Sequence, residues 1–210
     1  MLECGRYRAK TEPDFVDFII SFDFCLVETF ASSTFDFSVY FSDFLVFHVL
    51  AKKLSYQGRG SGGVALLVRK TVSRYVSKIE VNIDNTVAVK IAGTLLSSVQ
   101  DIILVCTYIP PPTSPYYKDK AINSNIPIVG QWLLDLQDIH RNCQVILCGD
   151  FNARTGQWQN TTDDDTLDDS VWRDPETDDG RCSQNTVINQ FGRLFIELCS
   201  TVSLWVVSEW

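Results

Sequence analysis

The chain has 210 residues, 45% hydrophobic and 21% charged, the balance of one globular domain that buries most of its apolar surface. No run reaches the roughly 18 to 20 uninterrupted apolar residues of a membrane helix, because Asp17, Asp23 and Glu28 break the apolar N-terminal part, and residues 1–10 carry no secretion signal, so a soluble intracellular chain without a membrane partner is expected. A formal net charge of -8 argues against a nucleic-acid partner, but nine acidic residues between Asp163 and Asp179, against Arg173 alone, account for all of it and leave the rest formally neutral.

In chain order, Thr11, Glu12, Pro13 and Asp14 have helix-start character and predict a short helix burying Phe15, Val16, Phe18 and Ile19. Residues 22–27 form an apolar run of strand length, with Glu28 at its C-terminal end. Residues 35–49, aromatic and β-branched, predict one or two short strands. Gly58, Gly60, Gly62 and Gly63 mark a loop. Strands are then expected at 64–68, 76–81, 86–91 and 102–109, the last ended by Pro110, Pro111 and Pro112. Residues 126–139 repeat apolar side chains at helical intervals from Val129 to Ile139. A buried strand at 144–148 follows, then a long acidic loop, a helix from Val187 to Leu198 and a closing strand at 204–207. The alternation predicts a mixed α/β sandwich. The seven cysteines are an odd number without CxxC pairs, and Cys25, Cys106 and Cys148 lie in apolar runs, so free buried thiols are expected.

The strongest chemical signal is Gly149-Asp150-Phe151-Asn152, where a buried strand delivers a carboxylate and then an amide as the chain turns out of the sheet. The carboxylate can orient or deprotonate a water, and the neutral amide can donate to a phosphate oxygen. An Asx turn after a strand explains the same residues locally. Glu28 offers a hard oxygen ligand of the kind Mg²⁺ takes. Tyr108, at a strand end, offers a hydroxyl within reach of a phosphate, or is a core tyrosine. His48, in an apolar run, and His140, at a helix end, read as structural.

Taken in order, Leu26-Val27-Glu28-Thr29-Phe30, Gly58-Arg59-Gly60-Ser61-Gly62-Gly63-Val64, Thr107-Tyr108-Ile109-Pro110-Pro111 and Gly149-Asp150-Phe151-Asn152-Ala153-Arg154 resemble successive blocks of the endonuclease/exonuclease/phosphatase superfamily, in particular the apurinic-like endonucleases of LINE-type (non-LTR) retrotransposons. Asn189 to Leu194 resembles the helix those elements carry after the GDFNA block. The resemblance spans roughly residues 13–207. It implies an incomplete α/β four-layer sandwich of the deoxyribonuclease I type that hydrolyses DNA phosphodiesters with Mg²⁺ or Mn²⁺, inside the cell, with the nucleus as a candidate compartment. By the same resemblance Glu28 is the metal ligand, Tyr108 the phosphate-contacting tyrosine, Asp150 the residue that positions the nucleophile, and Asn152 the contact to the scissile phosphate.

The sequence departs from that pattern at both ends. No asparagine precedes Asn82, and neither His48 nor His140 follows Ser-Asp. The expectation is therefore a degenerate or non-native segment at 1–12 and a truncated domain at 13–210, with an acidic surface loop at 160–182 and impaired activity. Two alternatives stay open: a catalytically dead relic of such an element, and an acidic protein-binding module in which residues 163–179 meet a basic partner. The Asp-rich segment lacks the Asp-x-Asp-x-Asp-Gly pattern of a calcium loop and reads as a solvated loop.

Overall fold

The computed structural model describes residues 24–54, 60–118, 124–156 and 187–204. The expected N-terminal helix, the acidic loop and the strand at 204–207, apart from Leu204 itself, lie outside them. The chain divides into two compact units, Met1–Phe151 and Asn152–Trp210.

The first unit contains two sheets. Strands β1 (Phe24–Val27), β2 (Phe44–Val49) and β3 (Val64–Arg69) form one, in the order β1-β3-β2, with both neighbours antiparallel to β3. Strands β4 (Val76–Ile79), β5 (Thr86–Ile91), β6 (Asp101–Tyr108) and β7 (Cys143–Asp150) form the other, in sequence order. The last pair is parallel, which requires a crossover, and helix α2 (Ile126–Ile139) supplies it.

Side-chain parity decides what each strand buries. Val64, Leu66 and Val68 of β3 pack with Val87, Val89 and Ile91 of β5 and with Ile102, Cys106 and Tyr108 of β6, so the sheets meet face to face. Ala65 and Leu67, of the opposite parity, join Ala31 and Phe37 in a second cluster. Strand β3 is thus buried on both faces, which is why its sequence runs Val-Ala-Leu-Leu-Val without a polar interruption. Ala88, Ile103 and Val105 are fully buried on the outer face of the second sheet, and Val129 and Leu133 of α2 are fully buried as well.

Three expectations are corrected. Of the one or two short strands expected at 35–49, β2 forms, but residues Phe37–Tyr40 make a helical turn, α1, where the Asp36 carboxylate accepts from Ser38 N at 2.9 Å and from Ser38 Oγ at 2.7 Å. Cys106 takes part in a disulfide, whereas Cys143, Cys148 and Cys199 keep reduced thiols. Its side chain faces the inter-sheet core. The strand expected at 144–148 extends to Asp150, for the reason given below.

In the second unit, helix α3 (Gln190–Thr201) buries Phe191, Leu198 and Cys199. Leu204 N donates to Cys199 O at 2.9 Å after the left-handed Ser203 (φ 53), closing the helix C-terminus. Among the described residues no helix is long and apolar enough to cross a membrane.

Candidate active site

Glu28 is the first residue after β1 and is exposed, with its backbone in the left-handed region at φ 52. Such a conformation is uncommon outside glycine and persists only where its surroundings hold it. Here the hold comes from the glycine loop that leads into β3. Thr29 N donates to Gly63 O at 3.1 Å and Phe30 N to Gly62 O at 3.0 Å, so pairing continues beyond the regular ladder and brackets Glu28.

Tyr108 closes β6, and its ring is buried among the inter-sheet side chains. Its hydroxyl donates to Glu28 Oε1 at 2.6 Å, which joins the ends of strands from different sheets. Burial, then this hydrogen bond, then the nearby Glu28 and Asp150 carboxylates hold the phenol well above the ordinary tyrosine range. It therefore remains a protonated donor at neutral pH.

Asp150 is the parallel register partner of Tyr108. Paired residues in a parallel ladder project from the same face, so the carboxylate and the phenol leave the sheet side by side. The sequence predicted that Asp150 would be released from the sheet. Instead Ile109 N donates to Asp150 O at 2.8 Å, which keeps it in the ladder as the last residue of β7. Gly149 makes this register possible: at φ 130 it lies so close to β6 that an added Cβ would stand 1.8 Å from Thr107 O.

Asn85 was not singled out by sequence reasoning. It is buried and left-handed at φ 54, immediately before β5. Its Oδ1 accepts from Gly63 N at 3.0 Å, and its backbone oxygen accepts from Tyr108 N at 2.9 Å. One residue thereby ties the loop that brackets Glu28 to the strand end that carries Tyr108. Beside it, Thr86 and Thr107 share a hydroxyl hydrogen bond of 2.7 Å. Asp84 accepts from Tyr116 OH at 2.7 Å and pairs with Lys52, and Asn125 Nδ2 donates to Tyr116 OH at 2.9 Å. The only local signal for Asn85 was a turn-favouring Asp-Asn pair before a strand.

Asn152 falls in the second unit. It is half-buried with φ 48, in a segment that pairs with the start of α3 through the Thr155–Ile188 bridge. His48 packs its ring 4.7 Å from that of Phe37, and His140 ends α2 where an open depression is lined by Lys90, Asp101 and Cys143. Asp101 and Cys143 begin β6 and β7, whose other ends carry Tyr108 and Asp150. At about 3.3 Å per residue, His140 stands roughly 20 Å from that end of the sheet.

Among the described residues no three His, Cys, Asp or Glu side chains gather as a metal cage. The carboxylates of Glu28 and Asp150 are hard oxygen groups, and Mg²⁺ takes one or two such carboxylates while keeping several waters.

No family model matches the chain, and no curated protein matches it. Among solved structures it is similar to the human Nocturnin catalytic domain with bound sulfate anion, at a TM-score of 0.40 and 18% identity, over 67% of this chain and 56% of that one. The chain therefore spans little more than half the length of that structure.

Proposed function

We propose that the chain is a divalent-metal-dependent phosphodiesterase whose substrate is DNA. The observation that carries this reading is the 2.6 Å hydrogen bond from Tyr108 to Glu28, made beside Asp150 in the parallel register. A protonated phenol and two carboxylates at strand ends supply the donor and oxygen ligands that phosphodiester hydrolysis uses. Glu28 would hold Mg²⁺ or Mn²⁺, whose bound form neutralises phosphate charge and favours ionisation of a water. Asp150 would orient and deprotonate the attacking water. Asn152, two residues along the chain, would donate to a phosphate oxygen without repelling it. Tyr108 acts first on Glu28, since its hydroxyl is engaged there, and turns the carboxylate to one orientation. The finer reading, a LINE-type retrotransposon endonuclease, is supported by the order of the four sequence blocks.

The test is nicking of supercoiled plasmid in Mg²⁺ or Mn²⁺ by the purified chain and by Glu28→Gln and Asp150→Ala. Slow turnover is expected, because neither His48 nor His140 follows Ser-Asp as the resembled family's histidine does, and one missing preorganised donor costs about 10² to 10³ in rate. Nicking that persists unchanged in both variants would refute the assignment.

A further inference from the structure

The second unit contains a side chain whose hydrogen bonds exceed what a helix cap requires. Asn189 precedes α3 with extended backbone, and its Oδ1 accepts from Gly192 N at 2.6 Å, the ordinary N-cap bond. The same oxygen accepts from Arg154 N at 3.0 Å, Nδ2 donates to Asn152 O at 3.0 Å, and the Asn189 backbone N–H donates to Arg154 O at 3.1 Å. Only the first of these four bonds serves the helix. The other three go to the turn that carries Asn152, from a position 37 residues further along the chain.

That turn has reason to need fixing. Asn152 is left-handed at φ 48, a conformation asparagine tolerates but that other backbone states compete with unless the surroundings choose it. The helix approaches closely enough that a Cβ on Gly192 would stand 1.9 Å from Arg154 O, so glycine at 192 is what lets Asn189 reach both carbonyls and both amides.

We propose that Asn189 is a positioning residue: its carboxamide fixes the turn at Asn152 and so sets the direction of the Asn152 side chain. This rests on the reading of Asn152 as a phosphate contact and deepens it. The distinction from a simple cap is chemical. Aspartate caps a helix as well as asparagine does. Asn189→Asp keeps the oxygen that accepts from Gly192 and Arg154, but it replaces the Nδ2 donor with a carboxylate oxygen facing the Asn152 carbonyl. A cap tolerates that change, whereas a positioning residue does not.

The experiment compares the full chain with Asn189→Asp, Asn189→Ala and Asn152→Ala, using Mn²⁺ and bis(p-nitrophenyl) phosphate for turnover and NMR amide exchange for the turn. Asn189→Asp should stay folded, melting within about 5 °C of wild type, while kcat falls about 10- to 100-fold, with KM changed less than about twofold. Wild-type kcat in that variant overturns the proposal. In Asn189→Ala the Arg154 amide should exchange at least about tenfold faster. Lost protection at Gly192 with none at Arg154 also overturns it. If wild type shows no turnover, or Asn152→Ala is as active as wild type, the function assigned to Asn152 fails, and exchange at Arg154 alone decides whether Asn189 holds the turn.

Discussion

Gly149→Ala tests how closely β6 and β7 must approach to set Asp150 beside Tyr108. An alanine Cβ at this position would stand 1.8 Å from Thr107 O and 2.8 Å from Thr107 C, both backbone atoms that no rotamer change can move. Real Cβ atoms essentially never come within 3.0 Å of such neighbours, so the strands must separate by more than an ångström at the end of the ladder. The residue's φ of 130 adds strain of its own, because only glycine occupies that region freely. Backbone strain of about 1–3 kcal/mol and overpacking of about 1–3 kcal/mol give an expected loss of about 2–6 kcal/mol. For a chain of this size that lowers the melting temperature by roughly 5–20 °C. Urea and thermal melts followed by circular dichroism measure the loss, and amide exchange at Ile109 reports whether its bond to Asp150 O is released. A loss below about 1 kcal/mol with Ile109 still protected would show that the ladder has slack at Gly149, contrary to this account.

Three further outcomes follow from the same geometry. Tyr108→Phe and Glu28→Gln, combined in a double-mutant cycle of urea stabilities at pH 7, should show a coupling of about 1 kcal/mol; a charge-assisted hydrogen bond is worth more when buried, but Glu28 is exposed, and a coupling near zero would deny the bond. Asn85→Ala should cost about 2–4 kcal/mol, since it strands the buried Gly63 N–H and puts alanine at a left-handed φ, and a neutral effect would remove Asn85 from the site's support. Tyr116 and Tyr117 are pushed up to about 12, both chiefly by burial, Tyr116 also by its bond to Asp84. A folded-state pKa raised above the unfolded value gives stability that is complete below about pH 10 and is lost as pH climbs toward about 12, at up to about 1.4 kcal/mol per pH unit for each group. Relative to a Tyr116→Phe, Tyr117→Phe variant, wild type should therefore lose stability across that window, and a constant difference between the two would contradict the burial described here.

What the sequence revealed, and what it hid, divides by range of interaction. Helix α2 has the limits expected from its apolar spacing and Pro127, because both signals are local. Strands β3, β5, β6 and β7 announced themselves as apolar runs, since each is largely buried and polar residues are excluded. Residues 37–40 misled because aromatic and β-branched composition suggests strand, while the deciding event is the pair of bonds that Asp36 accepts from Ser38. Asp150 misled in the opposite direction: Gly-Asp reads as an exit from the sheet, yet the partner strand β6 keeps it in register. Asn85 and Asn189 act through partners 22 to 37 residues away, and nothing in their immediate neighbourhood distinguishes them from ordinary turn and cap asparagines.

The location of Glu28, Tyr108 and Asp150 follows from the one parallel pair among the described strands. Antiparallel neighbours place a strand's end beside its partner's start, so polar residues at strand ends are spread between both edges of a sheet. The crossover through α2 returns β7 parallel to β6, which brings two C-terminal ends, Tyr108 and Asp150, into direct register. The C-terminal ends of strands are where α/β sheets generally place reactive groups. Strand β1 belongs to the other sheet, and its end reaches the same place because the sheets pack face to face, with Glu28 joined to Tyr108 across the gap. The phenol is protonated at neutral pH, and burial, then its bond to Glu28, then the nearby carboxylates raise its pKa further, so it adds a donor without adding charge. Two carboxylates around one neutral donor make a locally negative potential, which would draw a divalent cation more strongly than a monovalent one. On that basis Mn²⁺ binding should weaken when either Glu28 or Asp150 is neutralised, whereas Tyr108→Phe, which leaves both charges in place, should disturb the orientation of Glu28 more than the affinity.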